Sequence, residues 1–230
     1  MLKLTPILLA ILYAVLMYLF SAWRTGKMLD AQSRPLDDRG LTRVIDRLAG
    51  ALDLPHIPVR VLDIAPVNGL AAPDGRIFLT EGFVQKYRAG EVNAEEMASV
   101  VAHELGHVAH GHARRRMIDF SGQNAIRVAL ATLLGRVLPG VGVWLAGALT
   151  ALLAARLSRQ DEYEADEWAS ALLVKAGIGT GPQKSLFRKL EGLTGMAGAG
   201  SPAWLLSHPK AAERIAAIEH NEAKWGLARG

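Results

Sequence analysis

The five residues His103-Glu104-Leu105-Gly106-His107 constrain the fold of this 230-residue chain more than any other stretch. On a helix, residues four apart share a face. His103 and His107 can therefore both reach one metal ion, while Glu104, one step round, points toward the water such an ion carries and acts on it as a general base. The surrounding sequence is helical. Asn93 followed by Glu96 forms a capping-box start, and from Ala94 to His112 only Gly106 and Gly111 interrupt helix-forming residues. Met97, Val100, Val101, Leu105 and Val108 make the segment apolar enough to be buried, as a rigid metal-bearing element must be. With no Cys in the chain, a disulfide scaffold, a Cys-ligated zinc site and a thiol nucleophile are all excluded, so any metal rests on His and carboxylates.

A catalytic zinc ion takes three protein ligands and keeps a fourth position open. The extended pattern H-E-x-x-H-x-x-G-x-x-H fails here, because His110 stands where the Gly belongs and Ala113 where the third His belongs. The third ligand must come from elsewhere. A second helix is expected from Arg159 to Ala176, ended by Gly177, with Glu162 and Asp166 in the spacing E-x-x-x-D. Glu162 is expected to bind the metal. Asp166, one turn on, is expected to accept the free imidazole N–H of a ligand His and fix its tautomer. Glu164, on the far side, reads as a solvated charge. The E-x-x-x-D spacing is common by itself and gains its force from H-E-x-x-H. His110 reads as a packed core histidine and not as a ligand.

Elsewhere the chain is organised around two apolar segments. Leu4 to Trp23 carries no charged residue over about the length that spans a bilayer as a helix. It reads as a transmembrane anchor at residues 1–23; the competing signal-peptide reading is disfavoured because no small-x-small site follows Phe20. Lys3 precedes the segment and Arg24, Lys27 and Arg34 follow it, so the positive-inside rule places the rest of the chain in the cytoplasm rather than outside it. Residues 24–40 read as a polar linker and 41–230 as one domain, with a helix over Leu41 to Leu52 and a short three-stranded sheet over Val59 to Thr80, turning at Pro73-Asp74-Gly75. Two more helices are expected near Gln183 to Leu193 and Pro209 to Trp225. The second apolar segment, Val128 to Ala155, cannot be a single span, because His107 before it and Glu162 after it must reach one ion. Split by Pro139-Gly140-Val141-Gly142, it is expected to form a helical hairpin within the domain, packed over the motif helix or dipping into the membrane interface.

The fold class is thus α+β, mainly helical. Lys plus Arg at 26 against Asp plus Glu at 22 gives a charge of +4, too small to name nucleic acid as a partner, and Arg114 to Arg116 read as a helix-end or membrane-surface cluster.

His103 to His107, Glu162 to Asp166, the stretch Asn68 to Thr80, and Ser207-His208-Pro209 followed by Arg214 together resemble the HtpX-like zinc metallopeptidases, a family that includes the CAAX prenyl endopeptidases and a mitochondrial inner-membrane quality-control protease. The resemblance covers about residues 40 to 222. It implies a gluzincin fold, one Zn2+ held by His103, His107 and Glu162, and a membrane-anchored endopeptidase acting on protein or peptide substrates, damaged or surplus membrane proteins among them. It also implies that His208 lies near the substrate carbonyl with Arg214 as a supporting cation, that Asn68 to Thr80 is an active-site edge strand, and that His112 occupies a position where relatives often carry His. Without the resemblance, Ser207 reads as a helix cap and His208 as a surface residue. The reading from another class is a membrane-tethered protein with a purely structural zinc, but such a site has no need of a base at Glu104.

Overall fold

The structure, a computed structural model, describes residues 4–72, 74–112, 131, 141–195 and 210–227. The described residues fall into two units, one within 1–32 and 113–158 and the other within 33–112 and 159–230. In the first, helix α1 runs from Leu4 to Ala31. Its side chains are described from Leu12 onward apart from Ala14, and Leu12, Leu16, Leu19, Phe20 and Trp23 are all exposed. Among the described residues no helix is long and apolar enough to cross a membrane; the first part of the Leu4 to Trp23 run lies outside the described side chains.

The second unit is built on a mixed sheet of four strands, β1 (Ser33–Pro35), β2 (Val59–Leu62), β3 (Gly69–Ala71) and β4 (Ile77–Thr80), in the order β1-β2-β4-β3. Strands β2 and β4 are parallel, with Val61 opposite Leu79, and β3 lies antiparallel to β4 at the edge, with Leu70 opposite Phe78. One strand more is present than the sequence pattern gave. The stretch read as a polar linker holds the end of α1 and then β1, which pairs antiparallel with β2. Three residues ending in Pro35 are too few to show an alternation, so only the pairing reveals the strand.

Each helix has a local cause. Asp38 caps α2 (Arg39–Ala51) by accepting from Leu41 N at 2.9 Å. Thr80, the last residue of β4, caps α3 (Glu81–Arg88), a helix too short to show periodicity. Asn93 and Glu96 close a full capping box on α4 (Ala94–Ala109), each side chain accepting from the other's backbone N–H at 2.8 Å. Glu96 then also accepts from Ser185 at 2.7 Å and Lys189 at 2.8 Å, which ties the start of α4 to α6 (Gly181–Gly195).

Helix α5 is one element from Gly142 to Lys175. It begins just past Pro139-Gly140, but it runs without a break through the boundary that the sequence reading placed between the apolar hairpin and the second metal helix. Nothing from Ala151 to Asp161 is a Gly or Pro, so no residue stops it. The first half of the expected hairpin lies outside the described residues, apart from Ala131. The last helix is α7 (Ala211–Lys224).

Helix α4 occupies the middle of this unit, packed against α2, α6, β3 and β4, while α6 packs on α7. Leu41 and Leu48 of α2, Ile77 and Leu79 of β4, Met97 and Val101 of α4 and Leu173 of α5 are buried in one cluster. Truncating any of the large members, for example Leu48→Ala, costs about 2–5 kcal/mol. The motif helix is thus clamped from several sides before any metal is considered.

Candidate metal centre

Helix α5 approaches α4 where the motif has its glycine. A Cβ built on Gly106 would lie 2.8 Å from the Ala165 carbonyl oxygen and 2.9 Å from Ala165 Cα, so only a residue without a side chain admits the α5 backbone this closely. That approach brings Glu162 and Asp166, on either side of Ala165, to the two motif histidines.

His103 Nε2 and His107 Nε2 are 3.1 Å apart. Glu162 presents Oε2 at 3.3 Å from the first and Oε1 at 3.4 Å from the second. All three residues are buried. Ligands about 2.0–2.1 Å from a tetrahedral ion sit about 3.3 Å from one another, so two imidazoles and a carboxylate at these separations fit a zinc-type site. Glu104, also buried, is held by the backbone N–H of Ala71 on the edge strand. Burial, reinforced by the nearby Glu162 carboxylate, pushes its pKa up to about 6 against the opposing pull of His103, the Ala71 N–H and Arg214.

Behind His103 stands an ion pair. Its Nδ1 is 3.0 Å from Asp166 Oδ1, and Arg214, buried on α7, donates to Asp166 through Nε at 2.6 Å and Nη2 at 2.5 Å. The guanidinium stacks over the Phe187 ring at 4.1 Å. Burial would raise the Asp166 carboxyl, but Arg214 and His103 outweigh it and hold the pKa below the usual carboxylate range. Burial and Arg214 both disfavour a charged His103; the Asp166 and Glu162 carboxylates prevail and raise its pKa to about 9 in the metal-free protein. Arg214, which the resemblance gives as a supporting cation, faces Asp166 and His103, and Ser207 to Pro209 lie outside the described residues.

Behind His107 stands His112, which spacing arguments had left aside. Helix α4 ends at Ala109. Gly111 takes a left-handed conformation, φ +65°, with its N–H on Val108 O at 3.0 Å, and the chain folds back over the helix end. His112 is thereby fully buried, with Nδ1 2.8 Å from His107 Nδ1 and Nε2 3.2 Å from Glu164 Oε2. Burial lowers its pKa against the pull of Asp161 and Glu164. Two readings need correcting. Glu164 is not a merely solvated charge but meets His112 and accepts from Gln160 at 2.8 Å. His110 is not a packed core residue: the helix stops before it, leaving it exposed with its ring stacked on His112. A fivefold separation faces no common side of a helix, so only recognising His110-Gly111 as a helix stop would have brought His112 to notice.

The description "Peptidase family M48" matches residues 35–222. Metalloprotease LoiP of Escherichia coli (strain K12) is 30% identical over 188 residues, covering 81% of this chain and 71% of its own length. A Protease HtpX homolog of Prosthecochloris aestuarii is 26% identical over 235 residues, covering 86% and 77%. The crystal structure of S. mikatae Ste24p superposes with a TM-score of 0.55 at 22% identity, over 90% of this chain and 58% of that one, which is a likeness of fold. This chain thus spans less than two thirds of the Ste24p chain.

Proposed function

The chain belongs to peptidase family M48 and is a metallopeptidase, and from that premise we propose a zinc endopeptidase, anchored in a membrane by its uncharged Leu4 to Trp23 run, that cleaves extended segments of membrane proteins in quality control. The observation that carries this reading is the convergence of His103, His107 and Glu162 beside a buried, differently oriented Glu104. When bound, the ion supplies Lewis acidity toward a carbonyl and toward water. The chain's own residues do the rest. Glu104, ionised above about pH 6, takes a proton from the attacking water at its carboxylate and returns it to the leaving amine. Strand β3 stands at the sheet edge with Ala71 against Glu104, so an extended peptide added alongside it brings its backbone to the base. His208, by the resemblance of its Ser-His-Pro setting, hydrogen-bonds the carbonyl oxygen as charge develops there. Asp166 accepts the His103 Nδ1–H and is itself held by Arg214.

The membrane anchor is supported by the uncharged run Leu4 to Trp23 and by apolar side chains exposed along α1. The charges behind it favour a cytoplasmic catalytic unit.

Glu104→Gln tests the reading. The amide cannot take a proton but leaves the ligands in place, so zinc content stays stoichiometric while hydrolysis of an unfolded protein falls at least about a hundredfold. Activity above a tenth of wild type removes Glu104 from the mechanism. A wild-type protein that holds zinc yet cleaves nothing establishes the purely structural site instead. Proteomics of membranes carrying wild type against Glu104→Gln then identifies the substrates, and an accumulating set without membrane proteins overturns the quality-control role.

A further inference from the structure

We propose that His112 is the positioning residue for the metal ligand His107, accepting the His107 Nδ1–H at its own Nδ1 and anchored in turn by Glu164; the inference rests on the metal reading above. The ring hydrogens fix the roles. To bind a metal, His107 must offer Nε2 as a lone pair, since that is the atom facing His103 Nε2 and Glu162. A neutral imidazole then carries its hydrogen on Nδ1. The atom 2.8 Å from that hydrogen's nitrogen is His112 Nδ1, which must therefore be the bare nitrogen of its ring. His112 in turn carries its hydrogen on Nε2, where Glu164 Oε2 at 3.2 Å and Asp161 Oδ1 at 3.6 Å are both acceptors. Gln160 fixes Glu164 from the other side at 2.8 Å. The His107 hydrogen thus points at a bare nitrogen and the His112 hydrogen at carboxylate oxygens.

A second cluster shares the His112 ring. His110, His112 and Glu164 also bring ligand atoms close enough to hold a cation. A cation on His112 Nε2 leaves that ring's hydrogen on Nδ1, pointing at His107 Nδ1, and so forces the His107 hydrogen onto Nε2, the atom the first site needs bare. With neutral rings the two clusters cannot both be filled, and the geometry points to His112 as a support of the first.

The experiment compares His112→Asn, whose amide oxygen reaches the position of Nδ1, with His112→Gln, whose amide reaches the position of Nε2. Zinc affinity is read by chelator competition and the ring tautomers by 15N imidazole shifts of the zinc-loaded wild type. The expected result is an affinity loss of about 10–100-fold for His112→Gln, recovery to within about threefold of wild type for His112→Asn, and a His112 ring protonated at Nε2 alone. Equal losses in both variants, no loss in either, a His112 hydrogen on Nδ1, or a second tightly bound zinc equivalent that His110→Ala removes would each overturn the proposal. Should both variants fail to fold, the wild-type tautomer decides alone. Wild-type protein that binds no zinc is a failure of the metal reading; stoichiometric zinc with the wrong tautomer is a failure of this inference only.

Discussion

The two metal-facing histidines sit four residues apart on one helix, yet the structure supports them in opposite ways. His103 is backed by a charged pair drawn from two other helices, Asp166 of α5 and Arg214 of α7, each almost completely buried. His107 is backed by a neighbour only five positions on, a neutral ring whose outer carboxylate keeps 34% of its side-chain surface exposed. The difference separates two tasks that are usually merged. Behind His103, orienting a ligand and holding three helices together are the same set of hydrogen bonds, so damage there reaches the fold. Behind His107 the support starts five residues along the same segment and ends on a partly exposed carboxylate of α5, so damage there falls first on the metal.

The sharpest way to break this contrast is Arg214→Met, which leaves the Asp166 carboxylate buried without its cation and is expected to cost about 3–5 kcal/mol of stability. Urea unfolding of the metal-free protein measures it; a midpoint within error of wild type would show that the His103 side is no more structural than the other. Next in size is Glu162→Gln, which removes a ligand and should weaken zinc binding by more than about a hundredfold, beyond the range of an outer partner. Isothermal titration of the metal-free variant checks this, and a smaller loss would mean that Glu162 does not bind the ion. Gly106→Ala pushes a methyl into the Ala165 backbone and should cost about 1–3 kcal/mol by thermal unfolding. An unchanged Tm would mean that α5 shifts freely.

Proton competition gives a subtler test. In the metal-free protein His103 is protonated up to about pH 9, and only its neutral form binds, so apparent zinc affinity should rise about tenfold per unit between pH 6.5 and 8.5, where Glu104 is already mostly ionised. Asp166→Asn removes one of the two carboxylates that raise His103 and should flatten that rise; an unchanged slope would detach His103 from Asp166. The smallest effect belongs to Glu164→Gln, about threefold or less in zinc affinity, because solvent screens a charge this exposed. A loss above about tenfold, in the range of a buried outer partner, would erase the asymmetry altogether.

What the sequence made legible follows from what periodicity can encode. The start of α4, the shared face of His103 and His107, and the one-turn step from Glu162 to Asp166 are intrahelical facts, and helical spacing states them directly. The strand Ser33–Pro35 is a pairing fact, invisible until β2 is beside it. Arg214 was singled out only by resemblance, since nothing local to α7 says that its guanidinium enters a core. The fold-back of His112 was hidden for a further reason: it depends on where a helix stops, and His110-Gly111 can equally be read as a continuation.

The contact between Gly106 and Ala165 has a consequence for the metal centre. In H-E-x-x-H the two middle letters are formally free, but here the second is a spacer whose size sets the gap between two backbones. A side chain at position 106 forces the other helix to retreat, and Glu162, already the longest carboxylate a chain can place there, has no reach left to span the wider gap. The glycine at position 106 is therefore as much a part of the metal centre as the ligands, although it touches no metal.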